Sequence, residues 1–214
     1  MSDPRAMHAP SGFHDDQPLD RDDLLDDPIE QFRRWLADAE RAGVPLPNAM
    51  TLATVDASGR PSARHVLLRG VGERGFQFFT NRESRKGRQI AEVPWAALVF
   101  LWKELDRQVE VTGAVDALPD DESDVYFASR PRDAQLGAWA SPQSDPIGRD
   151  ELDARVAEAA ARFPGEVPRP PHWGGYVVRP RTIEFWQGRR HRLHDRFLFT
   201  AEARGIWRVE RLAP

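Results

Sequence analysis

The chain has 214 residues, of which 40% are hydrophobic, with 11 Phe and 7 Trp, enough for one domain, or at most two small ones, around a sizeable core. It contains no cysteine, which excludes disulfides, thiolate zinc sites, iron–sulfur clusters and cysteine nucleophiles. No run of 18 apolar residues offers a transmembrane helix, and the polar N-terminus lacks the apolar stretch of a signal peptide, so a cytoplasmic protein without membrane contact is expected.

The formal net charge of −4 hides an asymmetry. Residues 1–28 carry eight Asp against Arg5 and Arg21, whereas the remainder is mildly basic. That small excess is too little for a nucleic-acid-binding face, and an anionic small molecule is the more economical partner. Of the 30 basic residues only Lys86 and Lys103 are lysine, so a lysine is an unusual choice for this chain.

Residues 1–27 read as a flexible acidic N-terminal arm and residues 28–214 as one folded domain. The first firm element is a helix from Asp27: an Asp N-cap, Pro28 at the first helical position, Glu30 three after the cap. Ile29, Phe32, Trp35, Leu36 and Ala39 mark its apolar face, and Gly43 ends it. Strands are predicted over Met50–Val55, Ser62–Arg69 and Phe76–Thr80. A short helix over Ser84–Glu92 and a strand pair, Ala96–Trp102 with Gln108–Ala117, come next. Helices follow at Asp120–Ala128, Arg132–Trp139 and Asp150–Arg162. Strands at Gly174–Val178, Thr182–Gln187, Arg196–Thr200 and Ile206–Leu212 close the chain. Many strands on short turns, with helices inserted rather than alternating, predict a mainly β fold: an antiparallel barrel with peripheral helices.

Gly70-Val71-Gly72-Glu73-Arg74-Gly75 matches G-x-G-x-x-G, but a strand follows it where the dinucleotide fingerprint needs a helix, so it reads as a turn. Ser84-Arg85-Lys86-Gly87-Arg88 opens a helix, where free N–H groups and two cations make a natural phosphate site. Tyr126 and Arg130 are four apart and would share a helix face. His191-Arg192-Leu193-His194-Asp195-Arg196 lacks the ligand spacing of a metal site, and no G-x-S-x-G elbow supports a serine triad. Arg192, His194 and Arg196 alternate, and on a strand they would point to one face, beside Trp186. Several cationic sites with nearby aromatics suit a ligand with phosphate and flat rings.

At these motifs the sequence resembles the pyridoxamine (pyridoxine) 5'-phosphate oxidase family. The matching runs include Asn48-Ala49-Met50, Arg64 to Leu68, Phe79-Thr80-Asn81, Ser84-Arg85-Lys86, Arg107-Gln108-Val109 and Ser129-Arg130-Pro131-Arg132. Gln135 to Trp139, Gln143-Ser144, Trp173-Gly174-Gly175, Ile183 to Gly188, His191 to Phe197 and Arg211 to Pro214 continue the match in order over about residues 28–214. The resemblance implies an FMN-binding split β-barrel and a homodimer with FMN at the subunit interface. It implies FMN contacts from Arg64, His65, Val66, Leu67, Leu68, Arg69, Phe79, Thr80, Arg85, Lys86, Gln108, Gln143, Ser144, Trp186 and Arg196. It further implies substrate binding by Arg69, Tyr126, Arg130, Arg192 and His194, with Arg192 and His194 at the reacting carbon as catalytic residues.

The implied reaction belongs to vitamin B6 metabolism: oxidation of pyridoxamine or pyridoxine 5'-phosphate to pyridoxal 5'-phosphate. A hydride passes from C4' to the flavin, and O2 reoxidises the flavin to give H2O2. Three features depart from the family pattern. Arg69 stands where Lys is usual, Ala134 where Ser is frequent, and the acidic arm lacks the Arg and Tyr that some members fold over the substrate. These departures imply a weaker phosphate grip rather than a different reaction. Two other readings are a related flavin oxidase with a phenazine-type substrate and a non-catalytic flavin- or pyridoxal-phosphate-binding protein.

Overall fold

The computed structural model describes residues 16–214. Helix α1 (Pro28–Arg41) starts where the sequence predicts, with the Asp27 carboxylate accepting the N–H groups of Ile29 and Glu30. Nine strands follow, all paired antiparallel: β1 (Ala49–Val55), β2 (Pro61–Leu67), β3 (Gly70–Gly72), β4 (Gly75–Asn81), β5 (Trp95–Trp102), β6 (Arg107–Ala117), β7 (Trp173–Gln187), β8 (Asp195–Ala201) and β9 (Trp207–Leu212). Helix α2 (Arg85–Glu92) separates β4 from β5, and α3 (Asp120–Ala128), α4 (Arg132–Ala140) and α5 (Arg149–Arg162) lie between β6 and β7. This is the expected mainly β architecture with peripheral helices.

The strand order is β2-β1-β5-β6-β7-β4-β3, with β8 on β7 and β9 on β8. The 15-residue β7 makes this possible. Its first half pairs with β4 and its second half with β8, while β6 runs beside both. The sequence predicts two strands here because Pro180 interrupts the pattern. The ladder passes that point through a register shift at Thr112/Gly113, which bends the sheet. Gly113 is required there, since a Cβ would lie 1.9 Å from the Arg179 carbonyl oxygen.

The curl wraps around aromatic side chains. Phe32 of α1 meets Phe76 and Phe100 edge-on at 4.9 and 4.7 Å, and Trp35 meets Phe185 at 5.1 Å. Phe32 is fully buried, so Phe32→Ala would cost about 3–5 kcal/mol. A second cluster of Phe127, Leu136, Ala159, Val167 and Trp173 fixes α3, α4 and α5 beside the first half of β7.

Two expectations need correction. The acidic arm divides: residues 1–15 lie outside the described residues, but 16–27 pack on the body. Leu19 and Leu24 are 5% exposed and belong to the main core, so packing starts before the expected boundary at residue 28. Residues 192–196 do not form one extended strand. Arg190–Arg192 is a short 3-10 turn in which His191 and Arg192 have φ of 58° and 62°, and β8 begins at Asp195. Left-handed φ breaks the period of two, so Arg192 and His194 sit on a turn and Arg196 on a strand. The G-x-G-x-x-G segment is a hairpin, with Gly72 opposite Gly75 and Glu73-Arg74 between them. Gly75 has φ of 118° and its Cα faces the Val178 carbonyl, leaving no space for a Cβ.

Candidate active site

A cavity of about 780 Å³ opens between β2, the end of β4, the start of α2 and the α3–α4 region. It gathers Arg64, His65, Val66, Leu67, Arg69, Phe79, Thr80, Arg85, Lys86, Tyr126, Arg130, Gln143 and Ser144 of the predicted set. Among the described residues that line it, none is Asp or Glu. Five cations therefore share one hollow without a carboxylate in its wall.

Lys86 is central to one end. Ser84 caps α2 by accepting the Gly87 N–H, which points the first turn at the cavity and buries the lysine stem. Lys86 Nζ donates to Thr80 Oγ1 and Ser84 Oγ, both at 3.2 Å, and to Gln143 Oε1 at 2.9 Å. All three are neutral acceptors. Burial and the nearby Arg64 pull Lys86 from the usual 10.5 down to about 8. Ser144 Oγ accepts the backbone N–H of Arg85 at 3.1 Å, which ties the loop after α4 to the same helix start.

Arg64 is aimed by a network that sequence reasoning missed. Its guanidinium donates to the Leu52 carbonyl at 3.2 Å, to Thr54 Oγ1 at 2.6 Å and to Ser62 Oγ. Thr54 and Ser62 in turn donate to Gln89 Oε1 at 2.6 and 2.7 Å. Thr54 and Gln89 are buried, so the network fixes Arg64 in one position. Burial, then Arg85, lowers the Arg64 pKa. Its sequence signal would have been two polar residues at inward positions of β1 and α2.

The other end is aromatic. Phe79 stacks on Tyr126 at 4.0 Å and on Trp173 at 5.5 Å. Arg69 lies 5.8 Å from the Tyr126 ring centre, and Arg130 lies 4.7 Å from that of Trp173. Arg130 follows α3 rather than lying within it, yet still reaches the cavity that Tyr126 lines. Its Nη1 is buried without a hydrogen-bond partner. Burial foremost, with Arg69 adding to it, lowers the Arg130 pKa. A buried guanidinium N–H with no acceptor costs about 1–3 kcal/mol. Trp173, Asn81 and Ser141 also line the cavity and were not among the predicted contacts.

The remaining predicted residues lie elsewhere. Leu68 is 5% exposed in the main core. Gln108, Trp186, Arg192, His194 and Arg196 are not in the wall of the cavity. Gln108 and Arg196 flank Trp186 as its register partners on β6 and β8, and the His194 ring lies 4.6 Å from that of Trp186. The backbone N–H of Arg189 donates to His194 Nδ1 at 3.1 Å. Burial first, then Arg192 and Arg196, lowers the His194 pKa, against an opposing effect of Asp195. One chain thus holds a cationic cavity and, apart from it, a Trp–His–Arg patch.

The family model described as "Pyridoxamine 5'-phosphate oxidase" matches residues 36–162, which carry the cavity cations. A second, the "Pyridoxine 5'-phosphate oxidase C-terminal dimerisation region", matches residues 173–214, which carry most of the patch. The pyridoxine/pyridoxamine 5'-phosphate oxidase of Cupriavidus pinatubonensis is 56% identical over 197 residues, covering 92% of this chain and 93% of that one. The corresponding Salinibacter ruber protein is 56% identical over 200 residues with the same coverage. Among solved structures, PhzG from Burkholderia lata, in complex with tetrahydrophenazine-1-carboxylic acid, superposes with a TM-score of 0.88 at 34% identity, covering 95% of this chain and all of that one. A pyridoxamine 5'-phosphate oxidase-related, FMN binding protein from Nostoc punctiforme gives a TM-score of 0.68 at 20% identity, covering 86% and 97%, which supports the split-barrel fold. With a family model spanning its cationic cavity and relatives identical at more than half their aligned positions, the chain belongs to the pyridoxamine 5'-phosphate oxidase family.

Proposed function

We propose that this protein is an FMN-dependent oxidase that converts pyridoxamine and pyridoxine 5'-phosphates to pyridoxal 5'-phosphate, and that it acts as a homodimer. The observation that carries the reading is the cavity with five cations and no lining carboxylate among the described residues. One phosphate accounts for the Lys86 end and a second for the Arg69–Arg130 end, as a phosphorylated cofactor and a phosphorylated substrate require.

The residues present fit FMN. Arg64, Arg85, Lys86 and Ser144 would hold its phosphate. His65, Val66, Leu67, Thr80 and Gln143 would line its body, and Gln108, Trp186 and Arg196 of the second subunit would complete the site. The C-terminal region described for dimerisation covers Trp186 and Arg196, so association is what would bring the patch to a cavity. Bound there, FMN supplies the hydride acceptor for C4', with O2 as final oxidant and H2O2 as its product.

Arg69, Tyr126 and Arg130 would bind the substrate phosphate and so set the distance of C4' from the cofactor. Arg192 and His194 would flank the substrate ring. Because Nδ1 of His194 accepts a backbone N–H, the neutral ring carries its proton on Nε2 and offers a donor there. The lowered pKa keeps it neutral at pH 7. Arg196 would supply positive charge beside the cofactor, where reduction adds negative charge.

The likeness to PhzG favours a second reading, oxidation of a tricyclic carboxylic acid. That substrate has no phosphate to occupy Tyr126 and Arg130. The test is one assay: record the visible spectrum of the purified protein, then follow peroxide with both phosphorylated vitamers, their unphosphorylated forms and a tetrahydrophenazine carboxylate. Turnover of the phosphorylated vitamers is expected. Turnover of the phenazine alone would replace the reading, a flavin spectrum without any turnover would make the protein a binder, and a colourless protein that FMN cannot reconstitute would sink it.

A further inference from the structure

Asp195 is the hub of a charge cluster that the proposed reaction does not use. Its Oδ2 accepts the Leu19 N–H at 3.0 Å and Arg189 Nη1 at 2.9 Å, while Oδ1 accepts Arg211 Nη1 at 2.6 Å. Arg189 is shared: its Nε donates at 2.9 Å to Asp16 Oδ1, which also accepts the backbone N–H of Arg190 at 3.0 Å. Arg211 reaches back to the Leu19 carbonyl at 3.1 Å and to the Asp20 carboxylate. The Asp195 side chain is 13% exposed, and burial opposes its charge. The hydrogen bonds from Leu19, Arg211 and Arg189 nevertheless hold its pKa below the usual carboxylate range.

The turn tied by these bonds is a costly one. His191 and Arg192 both have left-handed φ, which costs about 1–2 kcal/mol for each non-glycine residue and persists only where the surroundings fix it. Its own backbone contributes the Leu193 N–H to Arg190 carbonyl bond at 3.2 Å. Most of the fixing groups are external, Asp16 on Arg189 and Arg190 and Asp195 on Arg189, while the Arg189 N–H on His194 closes the turn from within. The segment that supplies Asp16 is anchored by Leu19 in the core.

We propose that residues 16–20 form a brace for this turn, and that Asp16 and Asp195 are positioning residues that act through Arg189 on Arg192 and His194. The positioning claim rests on the reading that Arg192 and His194 face the substrate; the brace does not. An acidic segment suits the task because it meets three arginines, Arg189, Arg190 and Arg211, without competing for the cationic cavity.

The test compares the full-length, flavin-loaded protein with D16N, D195N and the double variant, by hydrogen–deuterium exchange and by turnover per bound flavin. Exchange in the peptide spanning residues 188–194 should rise about tenfold in each single variant, with β1 and α2 unchanged. Turnover should fall about tenfold with flavin content kept, and the double variant should be no worse than the poorer single, since both carboxylates act on one guanidinium. Should D195N fail to fold, D16N, near the chain's surface, carries the test. Unchanged exchange at residues 188–194 in D16N overturns the brace, and faster exchange with full turnover overturns the positioning role. A flavin-loaded wild type that oxidises no vitamer strikes the proposed function instead, and the exchange data still decide the brace.

Discussion

Glu184 grips the guanidinium of Arg196 with both carboxylate oxygens, at 2.8 and 3.0 Å. The hydrogen bond to Glu184 is the leading reason the Arg196 pKa is raised. Across the ladder from Glu184 stands Glu110, its register partner, so two carboxylates share one cation. Burial, then the Glu184 charge, raises the Glu110 pKa, with Arg196 opposing. The folded protein then holds this proton more tightly than the unfolded chain does. Stability consequently falls as pH climbs from the unfolded-state pKa through the folded one, and stays lowered at neutral pH. Glu110→Gln should raise the melting temperature at pH 7 by about 2 °C, and the gain should vanish below pH 4. Thermal melts at the two pH values check this; equal gains at both would assign the effect to packing.

If Lys86 holds the cofactor phosphate as proposed, the cofactor's affinity should depend on pH. Its pKa is lowered to about 8, so the folded protein without an anion binds this proton less tightly than the unfolded chain. The penalty is present below pH 8 and fades as pH rises toward 10.5. A bound phosphate favours the charged lysine, so binding near pH 8–9 should take up a proton. The Kd for FMN should then rise by up to about tenfold per pH unit above 8. Lys86→Met should weaken binding at pH 7 by about 1.5–3 kcal/mol and flatten the profile. Fluorescence titrations of FMN from pH 7 to 9.5 measure both effects.

Ala134 lines the cavity at a place where the resemblance leads one to expect Ser. A hydroxyl there would donate to the proposed substrate phosphate, adding about 0.5–1.5 kcal/mol. Ala134→Ser should lower KM for pyridoxamine 5'-phosphate about two- to tenfold with kcat little changed. The unphosphorylated amine serves as control, because its kinetics should not respond.

The legible part of this protein was whatever short-range chemistry determines. The Asp27 and Ser84 caps, the alternating strands and the turn at Gly72–Gly75 each follow from residues within a few positions of one another. The cavity cations were legible as motifs, and Lys86 stood out because lysine is rare in the chain. Long-range relations were not legible. Gln89 meets Thr54 across 35 residues, and Asp16 meets Arg189 across 173, with no periodicity to signal either. Leu19 and Leu24 are apolar residues set among aspartates, with no period to mark them as core. The even spacing of Arg192, His194 and Arg196 misled because it presumes an extended backbone that the left-handed turn removes.

Arg192→Ala tests whether the turn before β8 takes part in the proposed reaction. The residue is exposed on the turn before β8 and lies outside the cavity that holds Lys86 and Arg64. Its left-handed φ of 62° is no easier for alanine than for arginine, so the backbone should keep its shape through the brace. If Arg192 meets the substrate ring in the assembled dimer, the variant should lose about 99% of turnover, a loss of roughly 2.7 kcal/mol of transition-state stabilisation. Flavin content and melting temperature should stay as in wild type, since neither Lys86 nor the core is touched. Arg192→Lys should restore little of the loss, because one ammonium cannot reproduce a planar fork of donors. The measurement is kcat/KM per bound flavin for pyridoxamine 5'-phosphate. Intact turnover in Arg192→Ala would remove this residue from the reaction and leave His194 to carry that face.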